Sequence, residues 1–235
     1  MAEKNKKAKK SGSKLYRVVY AIFARAVGCF FRVKVLGREN EPEKGGFVVC
    51  ANHVSATDPV VISYAFRNHQ VRFMAKKELF KVPIVGWLVG LMGAFPVDRA
   101  GNDVGAIKKS VAMVKDGQSM GIFPQGHRYP KVDPRTTPTK NGAALITAKA
   151  EADVVPVYIV RKNNTHKLFR RTLVIIGKPI PFEEFGYDSE ESGAYAKMTA
   201  TIFDRICTIG ETYAAEQKAL AEKEAARKAA KKGKS

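Results

Sequence analysis

Short apolar runs alternate with helical stretches along the chain from Val33 onward, and this alternation limits the possible folds more than any other feature. It is typical of an α/β protein in which helices flank a mixed, largely parallel β-sheet. The apolar runs predict strands at 33–36, 47–51, 71–75, 94–97, 120–123, 154–160 and 172–176. The stretches between them predict helices at 59–66, 84–92, 104–115 and 141–150. A long helix rich in Ala, Lys and Glu is predicted from about residue 190 toward the C-terminus.

The two ends of the chain differ in composition from its middle, so we divide it into four segments. Residues 1–14 hold six Lys and one Glu and lack apolar residues to bury, which predicts a disordered basic arm. We predict an N-terminal membrane-interface helix within 15–36, an α/β domain at 37–190, and a C-terminal helix with a basic tail at 191–235. No internal repeat or Gly/Ser-rich linker is found, so one domain with appended ends is the simplest organisation.

The apolar segment at 15–31 is interrupted by Arg17 and Arg25. A membrane-spanning helix needs about 20 apolar residues, and an arginine at its centre is costly. A helix that lies in the membrane interface, with its arginines reaching the lipid headgroups, fits this composition better. A helix packed on its own domain and a true transmembrane anchor are the alternatives.

The net charge of +19 indicates that some partner or surface is anionic, because 41 Lys and Arg oppose only 22 Asp and Glu. Charge alone leaves open a nucleic acid, a membrane or an acidic substrate. No RNA-recognition, zinc-finger or helix-turn-helix pattern is present, so we predict no nucleic-acid partner. The three cysteines, Cys29, Cys50 and Cys207, are widely spaced and unpaired in pattern. They predict reduced thiols in a cytosolic protein, with neither a disulfide framework nor a metal site.

A histidine and an aspartate are placed for proton transfer after the second predicted strand. His53 precedes Asp58 by five residues, and Pro59 occupies a position favoured in the first turn of a helix. A carboxylate bound to one imidazole nitrogen fixes the tautomer and stabilises the imidazolium, which leaves the other nitrogen to accept a proton from a hydroxyl. The alternative is that Asp58 simply caps the helix.

Basic residues follow three other predicted strands. Gly126 and Arg128 lie in a turn after Pro124, where exposed backbone N–H groups and a guanidinium would suit a phosphate. Arg99 follows a short strand, although a surface salt bridge with Asp98 would also explain it, and Lys76 follows another strand. Residues beyond strand ends converge on one edge of an α/β sheet, where ligands usually bind.

These motifs occur together in a recognisable order. They are Asn52-His53-x4-Asp58, AKKELF with Lys76, GAFPVDR with Arg99, FPQGHR with Arg128, and VPVYI at 155–159. In order and spacing they resemble the four-block pattern of the glycerolipid acyltransferases, in particular the bacterial 1-acyl-sn-glycerol-3-phosphate acyltransferases. The similarity extends over about residues 15–190 and implies a glycerol-3-phosphate acyltransferase-like fold.

The resemblance also implies a role for each block. His53 would be the general base and Asp58 its orienting partner. The substrate phosphate would be held by Arg99, Arg128 and Gly126, with Lys76 as a helper. The VPVYI block at 155–159 would be a structural strand lining the acyl site.

Two residues depart from the family pattern. In the FPQGHR block, Gln125 and His127 stand where the family usually has Glu and Thr. The change at Gln125 removes a negative charge near the expected phosphate site. Both are accessory candidates: His127 could donate a hydrogen bond to the phosphate or replace the Thr only structurally.

By this resemblance the chain would move a fatty acyl group from acyl carrier protein or acyl-CoA to the sn-2 hydroxyl of lysophosphatidic acid, giving phosphatidic acid. No metal and no prosthetic cofactor would be needed. The protein would lie on an anionic membrane surface, peripheral or monotopic on the cytoplasmic face of the cell membrane. The alternatives are glycerol-3-phosphate or another phosphorylated alcohol as acceptor, a basic nucleic-acid-binding protein, and a membrane-binding relative without catalysis.

Overall fold

The structure is a computed structural model, and it describes residues 27–28, 30, 32–97, 104–161, 164 and 170–232. The predicted arm at 1–14, Arg99 and most of the predicted interface helix lie outside the described residues. Of that helix, Val27, Gly28 and Phe30 are described, and all three are helical.

A seven-stranded sheet forms the centre of the described structure. Its strands are β1 Val33–Leu36, β2 Val48–Ala51, β3 Val71–Lys76, β4 Phe95–Val97, β5 Ser119–Ile122, β6 Val154–Arg161 and β7 Thr172–Ile176. They are arranged in the order β1-β7-β6-β2-β5-β3-β4. Every neighbouring pair is parallel except β6 with β7. The mixed, largely parallel sheet predicted from the sequence is therefore confirmed.

Five α-helices follow β1 in the described part of the chain. They are α1 Asp58–Ala65, α2 Pro83–Leu91, α3 Val104–Lys115, α4 Gly142–Ala150 and α5 Ala194–Lys232. Short 3-10 turns lie at Arg38–Asn40, Lys77–Lys81, Pro134–Thr136 and Phe182–Phe185. Within the described ranges, no helix combines the length and the hydropathy needed to cross a membrane.

Strand β2 is buried on both faces and divides the core into two clusters. Val48 and Cys50 pack with residues of α3, α4 and α5, whereas Val49 and Ala51 pack with residues of α1. Alternate residues of a strand point to opposite faces of the sheet, so this division follows directly from the sequence of β2. Helices on both faces are expected for a parallel sheet, because crossover connections place them there.

Parts of both segments drawn outside 37–190 belong to the folded domain, and one of them is the strand predicted at 33–36. Strand β1 lies within the predicted interface segment at 15–36, yet it pairs with β7 as part of the sheet. Helix α5 lies within the predicted appended segment at 191–235, yet it contributes core side chains such as Ile202 and Ile206. The domain core therefore extends beyond 37–190 at both ends.

Candidate active site

The candidate site lies at the carboxyl edge of the central strands. His53 follows β2, and the turn that carries Gln125 and Gly126 follows β5. Strands β2 and β5 are parallel neighbours, so their carboxyl ends bring these residues to the same edge. This is the edge at which α/β sheets usually bind ligands.

His53 and Asp58 form the predicted pair. The Nδ1 atom of His53 is 2.8 Å from Oδ2 of Asp58. The same carboxylate oxygen accepts hydrogen bonds from the backbone N–H groups of Val54, at 2.6 Å, and Ser55, at 2.7 Å. An ionised carboxylate can only accept a hydrogen bond, so Nδ1 carries the proton and donates to Asp58, which leaves the lone pair of Nε2 available as a base. Asp58 is the first residue of helix α1, and its carboxylate orients the imidazole. It does not cap the helix, because the N-cap position is Thr57 and the N–H groups that Asp58 accepts from belong to the preceding loop.

Arg161, which the sequence analysis did not single out, completes this pair. Its guanidinium forms a buried ion pair with Oδ1 of Asp58, and it also donates to the hydroxyl of Thr57 at 3.2 Å. Burial by itself would raise the pKa of Asp58. The hydrogen bond with His53, the positive charge of Arg161 and the backbone N–H of Ser55 outweigh it, so the pKa lies below its usual value. Asp58 therefore remains a carboxylate beside His53.

The backbone of His53 is fixed as firmly as its ring. Its N–H donates to Oε1 of Gln125 at 2.6 Å, and its carbonyl accepts from the N–H of Tyr129 at 2.9 Å. Gln125 in turn donates to the hydroxyl of Thr137 at 2.7 Å. The imidazole stacks on the ring of Phe123 with centroids 4.0 Å apart. Gln125 thus holds the backbone of His53 in position, and its amide oxygen provides the acceptor at the place where the resemblance leads one to expect a carboxylate.

The first and last blocks of the motif are joined by a pair of hydrogen bonds. The side-chain amide of Asn52 accepts from the N–H of Ile159 at 2.7 Å and donates to the carbonyl of Ile159 at 3.2 Å. Strand β6 therefore anchors the loop that carries His53. The 155–159 block, which the resemblance places at the acyl site, lies outside the lining of the cavity found beside His53, because β2 separates β6 from the strands that line that cavity.

A cavity of about 600 Å³ opens beside His53. Its walls are mostly apolar and are built from Phe73, Met74, Val97, Val104, Ala106, Ile107, Ile122, Phe123, Ala143 and Leu145. His127 and Lys140 add polar groups to the lining, and both are exposed to solvent. An apolar cavity with a few polar groups and a base in its wall suits a substrate that has an apolar chain and a polar head.

The predicted phosphate residues are placed differently from one another. Gly126 lines the cavity with φ of 70°, and a Cβ there would lie 2.8 Å from the side chain of Lys140. Its N–H donates to the carbonyl of Phe123, so the turn uses internally a donor that the sequence analysis expected to be exposed. Arg128 is exposed. It lies in the chain between His127 and Tyr129, whose N–H donates to the carbonyl of His53. Lys76 is 58% exposed, 3.8 Å from Glu78, and outside the cavity lining.

Neither the cysteines of the described residues nor Ser55 has the environment of an activated nucleophile. Cys50 and Cys207 are free and buried, and burial raises the pKa of the Cys50 thiol far above its usual value. The hydroxyl of Ser55 contacts Thr57, at 3.1 Å, rather than a histidine. Ser55, Cys50 and Cys207 are therefore poor candidates for a covalent nucleophile.

Comparison with known proteins identifies the family of this chain. The family model described as Acyltransferase matches residues 32–160. The chain belongs to the acyltransferase family. This acyltransferase is 33% identical over 177 residues to the 1-acyl-sn-glycerol-3-phosphate acyltransferase of Bacillus subtilis (strain 168), with 74% of this chain and 86% of that protein covered. It is 32% identical over 164 residues to the protein of the same name from Streptococcus pneumoniae (strain ATCC BAA-255 / R6), covering 68% of this chain and 60% of the relative.

A solved structure shares the fold. It is the crystal structure of the 1-acyl-sn-glycerophosphate (LPA) acyltransferase PlsC from Thermotoga maritima, with a TM-score of 0.65 and 24% sequence identity. The match covers 84% of this chain and 80% of that one. The acyltransferase fold expected from the sequence motifs is therefore confirmed.

Proposed function

We propose that this acyltransferase moves a fatty acyl group from a thioester to the sn-2 hydroxyl of lysophosphatidic acid and releases phosphatidic acid. One observation carries the proposal: the His53–Asp58 pair opens into an apolar cavity of about 600 Å³. A base beside a hydroxyl and an apolar space beside an acyl chain are what this reaction requires. Relatives named for this activity support the choice of acceptor.

The reaction proceeds in one addition and one elimination. Nε2 of His53 takes the proton of the sn-2 hydroxyl as the oxygen attacks the thioester carbonyl, and a tetrahedral intermediate forms. The intermediate then collapses and the C–S bond breaks. The imidazolium returns its proton to the sulfur, which leaves as a thiol. Asp58 stabilises the imidazolium between these steps, and Arg161 keeps Asp58 ionised.

The phosphate of the acceptor binds at the polar end of the cavity lining. Arg128 and Arg99 supply guanidinium groups, with Lys76 as a helper and Gly126 leaving room in the turn. We add Lys140 to this set, and the support is that its side chain lines the cavity next to Gly126. His127 is a further donor in the same lining. Cationic donors hold a phosphate strongly because their hydrogen bonds are charge-assisted.

The acyl donor is a thioester of acyl carrier protein or CoA, and the enzyme works without a metal or prosthetic cofactor. Acceptor and product are both lipids, so the protein acts at the anionic surface of the cell membrane, peripheral or monotopic on its cytoplasmic face. The basic residues that give the net charge of +19 would favour that surface.

An acyl-transfer assay with two acceptors and two donors tests the proposal. Lysophosphatidic acid and glycerol-3-phosphate are each offered with acyl-CoA and with acyl carrier protein, and the lipid products are separated. We expect phosphatidic acid from lysophosphatidic acid with at least one donor. Transfer to glycerol-3-phosphate alone would replace the proposed acceptor, and no transfer to either acceptor would contradict the proposed reaction.

A further inference from the structure

An apolar surface lies outside the cavity, on the segment that follows β3. Five large apolar side chains of this segment are exposed: Leu79, Val82, Ile84, Val85 and Trp87. The most exposed are Ile84, at 80%, and Trp87, at 64%. We call these five residues the 79–87 patch. Isolated exposed apolar residues are normal, but a contiguous cluster marks an interaction site.

Three lysines lie close to the patch in the sequence. Lys77 and Lys81 are exposed within this segment, and Lys76 is exposed at the end of β3 just before it. The only acidic residue among 76–81 is Glu78, so the local charge is +2. Apolar side chains beside lysines suit a surface that is apolar inside and anionic outside. A bilayer with anionic headgroups has this character, and tryptophan is well suited to the boundary between its two regions.

The position of the patch relates it to the cavity. The 3-10 turn Lys77–Lys81 directly follows β3, whose residues Phe73 and Met74 line the cavity. Strand β3 is parallel to β5, so the patch begins at the same sheet edge as the turn that carries Gln125. A membrane bound through this patch would therefore lie next to the edge at which the site opens.

We propose that the 79–87 patch docks the protein onto an anionic lipid surface, with Ile84 and Trp87 inserted among the lipids and the lysines on the headgroups. The inference deepens the proposed function, since a lipid acceptor would then reach the cavity from the membrane to which the patch is bound.

Trp87 reports on this contact directly, because it is the only tryptophan in the chain. Full-length protein is mixed with vesicles of phosphatidylcholine alone or with phosphatidylglycerol added, and tryptophan emission is recorded. We expect a blue shift with anionic vesicles and a weaker one with neutral vesicles or at high salt. An unchanged emission from protein that sediments with the vesicles would overturn the proposal.

Two other occupants would give different results, and each would also overturn it. Emission that is already blue-shifted at every protein concentration without vesicles would show that the patch is covered by this chain itself. A blue shift that appears without vesicles as the protein concentration rises would show a second copy.

A substitution separates docking from catalysis. Ile84→Glu, with Trp87 kept as the probe, should weaken binding to anionic vesicles about tenfold or more. Leu220→Glu is the matched control, because Leu220 is 54% exposed on α5, and we expect it to change binding less than about twofold.

Activity is then measured with two forms of acceptor. Ile84→Glu should lose activity on lysophosphatidic acid in vesicles but keep it on a short-chain acceptor dissolved as monomers. Equal losses on both would overturn the docking role. If the unsubstituted protein lacked activity on both acceptors, the proposed function would fail, whereas the emission of Trp87 would still decide the docking surface.

Discussion

The buried ion pair between Arg161 and Asp58 gives the sharpest prediction about the site. Arg161→Met keeps much of the length of the side chain but removes its charge. The side chains of Arg161 and Asp58 are 2% and 0% exposed, so solvent cannot replace the lost partner. The variant would leave a buried carboxylate that retains its hydrogen bonds from His53, Val54 and Ser55 but lacks its counter-charge.

Removal of one partner from a buried pair typically costs about 3–5 kcal/mol of folding free energy. With a urea m-value of about 3 kcal/mol per molar, the unfolding midpoint should fall by about 1–2 M. The matched control is Arg205→Met, because Arg205 pairs with Glu184 at a site where both side chains are about half exposed. Exposed pairs contribute about 0–1 kcal/mol, so the control should shift the midpoint by only a few tenths molar.

The pH dependence provides a second test of the same pair. The pKa of Asp58 in the folded protein lies below its unfolded value, so the carboxylate adds stability above about pH 3.9 that is lost as the pH falls through the folded pKa. Arg161→Met removes a cause of the lowered pKa and leaves the burial that raises it. The stability difference between the two proteins should therefore be largest near neutral pH and narrow below about pH 4. If the urea midpoint of Arg161→Met at pH 7 fell no further than that of the Arg205→Met control, this reasoning would be refuted.

Three further substitutions test the surroundings of the base and the cavity. Gln125→Leu leaves the buried N–H of His53 without its acceptor, which should cost about 1–3 kcal/mol in urea unfolding and lower kcat. Gln125→Glu keeps an acceptor for this N–H, so it should lose less stability and less of kcat than Gln125→Leu. Lys140→Met should raise the KM for lysophosphatidic acid about tenfold with little change in kcat, whereas the exposed Lys149→Met on α4 should change neither. Leu145→Trp should reduce the longest acyl chain that is transferred, which product analysis by mass spectrometry would show; unchanged products would contradict the assignment of the cavity to the acyl chain.

The strands could be predicted from the sequence because their apolar runs are bounded by turns and polar residues, and each run also fits a buried parallel strand. His53 and Asp58 could be paired because they lie five residues apart, so local structure alone brings them together. The contribution of α5 to the core could not be predicted, because its apolar residues, such as Ile202 and Ile206, are diluted within a long polar helix.

Arg161 was missed for a related reason. It lies 103 residues from Asp58, and a charged residue at the end of an apolar run usually marks the surface. Only the pairing of β6 with β2 brings the two residues together. The signal that could have identified it is its place two residues after the 155–159 block, at the carboxyl end of β6. Lys140 was missed because it precedes α4 in a polar loop that gives no sign of the cavity.

His53→Ala tests the central claim most directly. The purified variant and the unsubstituted protein are compared by kcat/KM with lysophosphatidic acid and an acyl thioester, after circular dichroism has shown that both are folded. General-base catalysis is typically worth about 10²–10⁴-fold, so we predict a loss of at least about 100-fold. A folded His53→Ala variant with nearly unchanged turnover would contradict the assignment of His53 as the base.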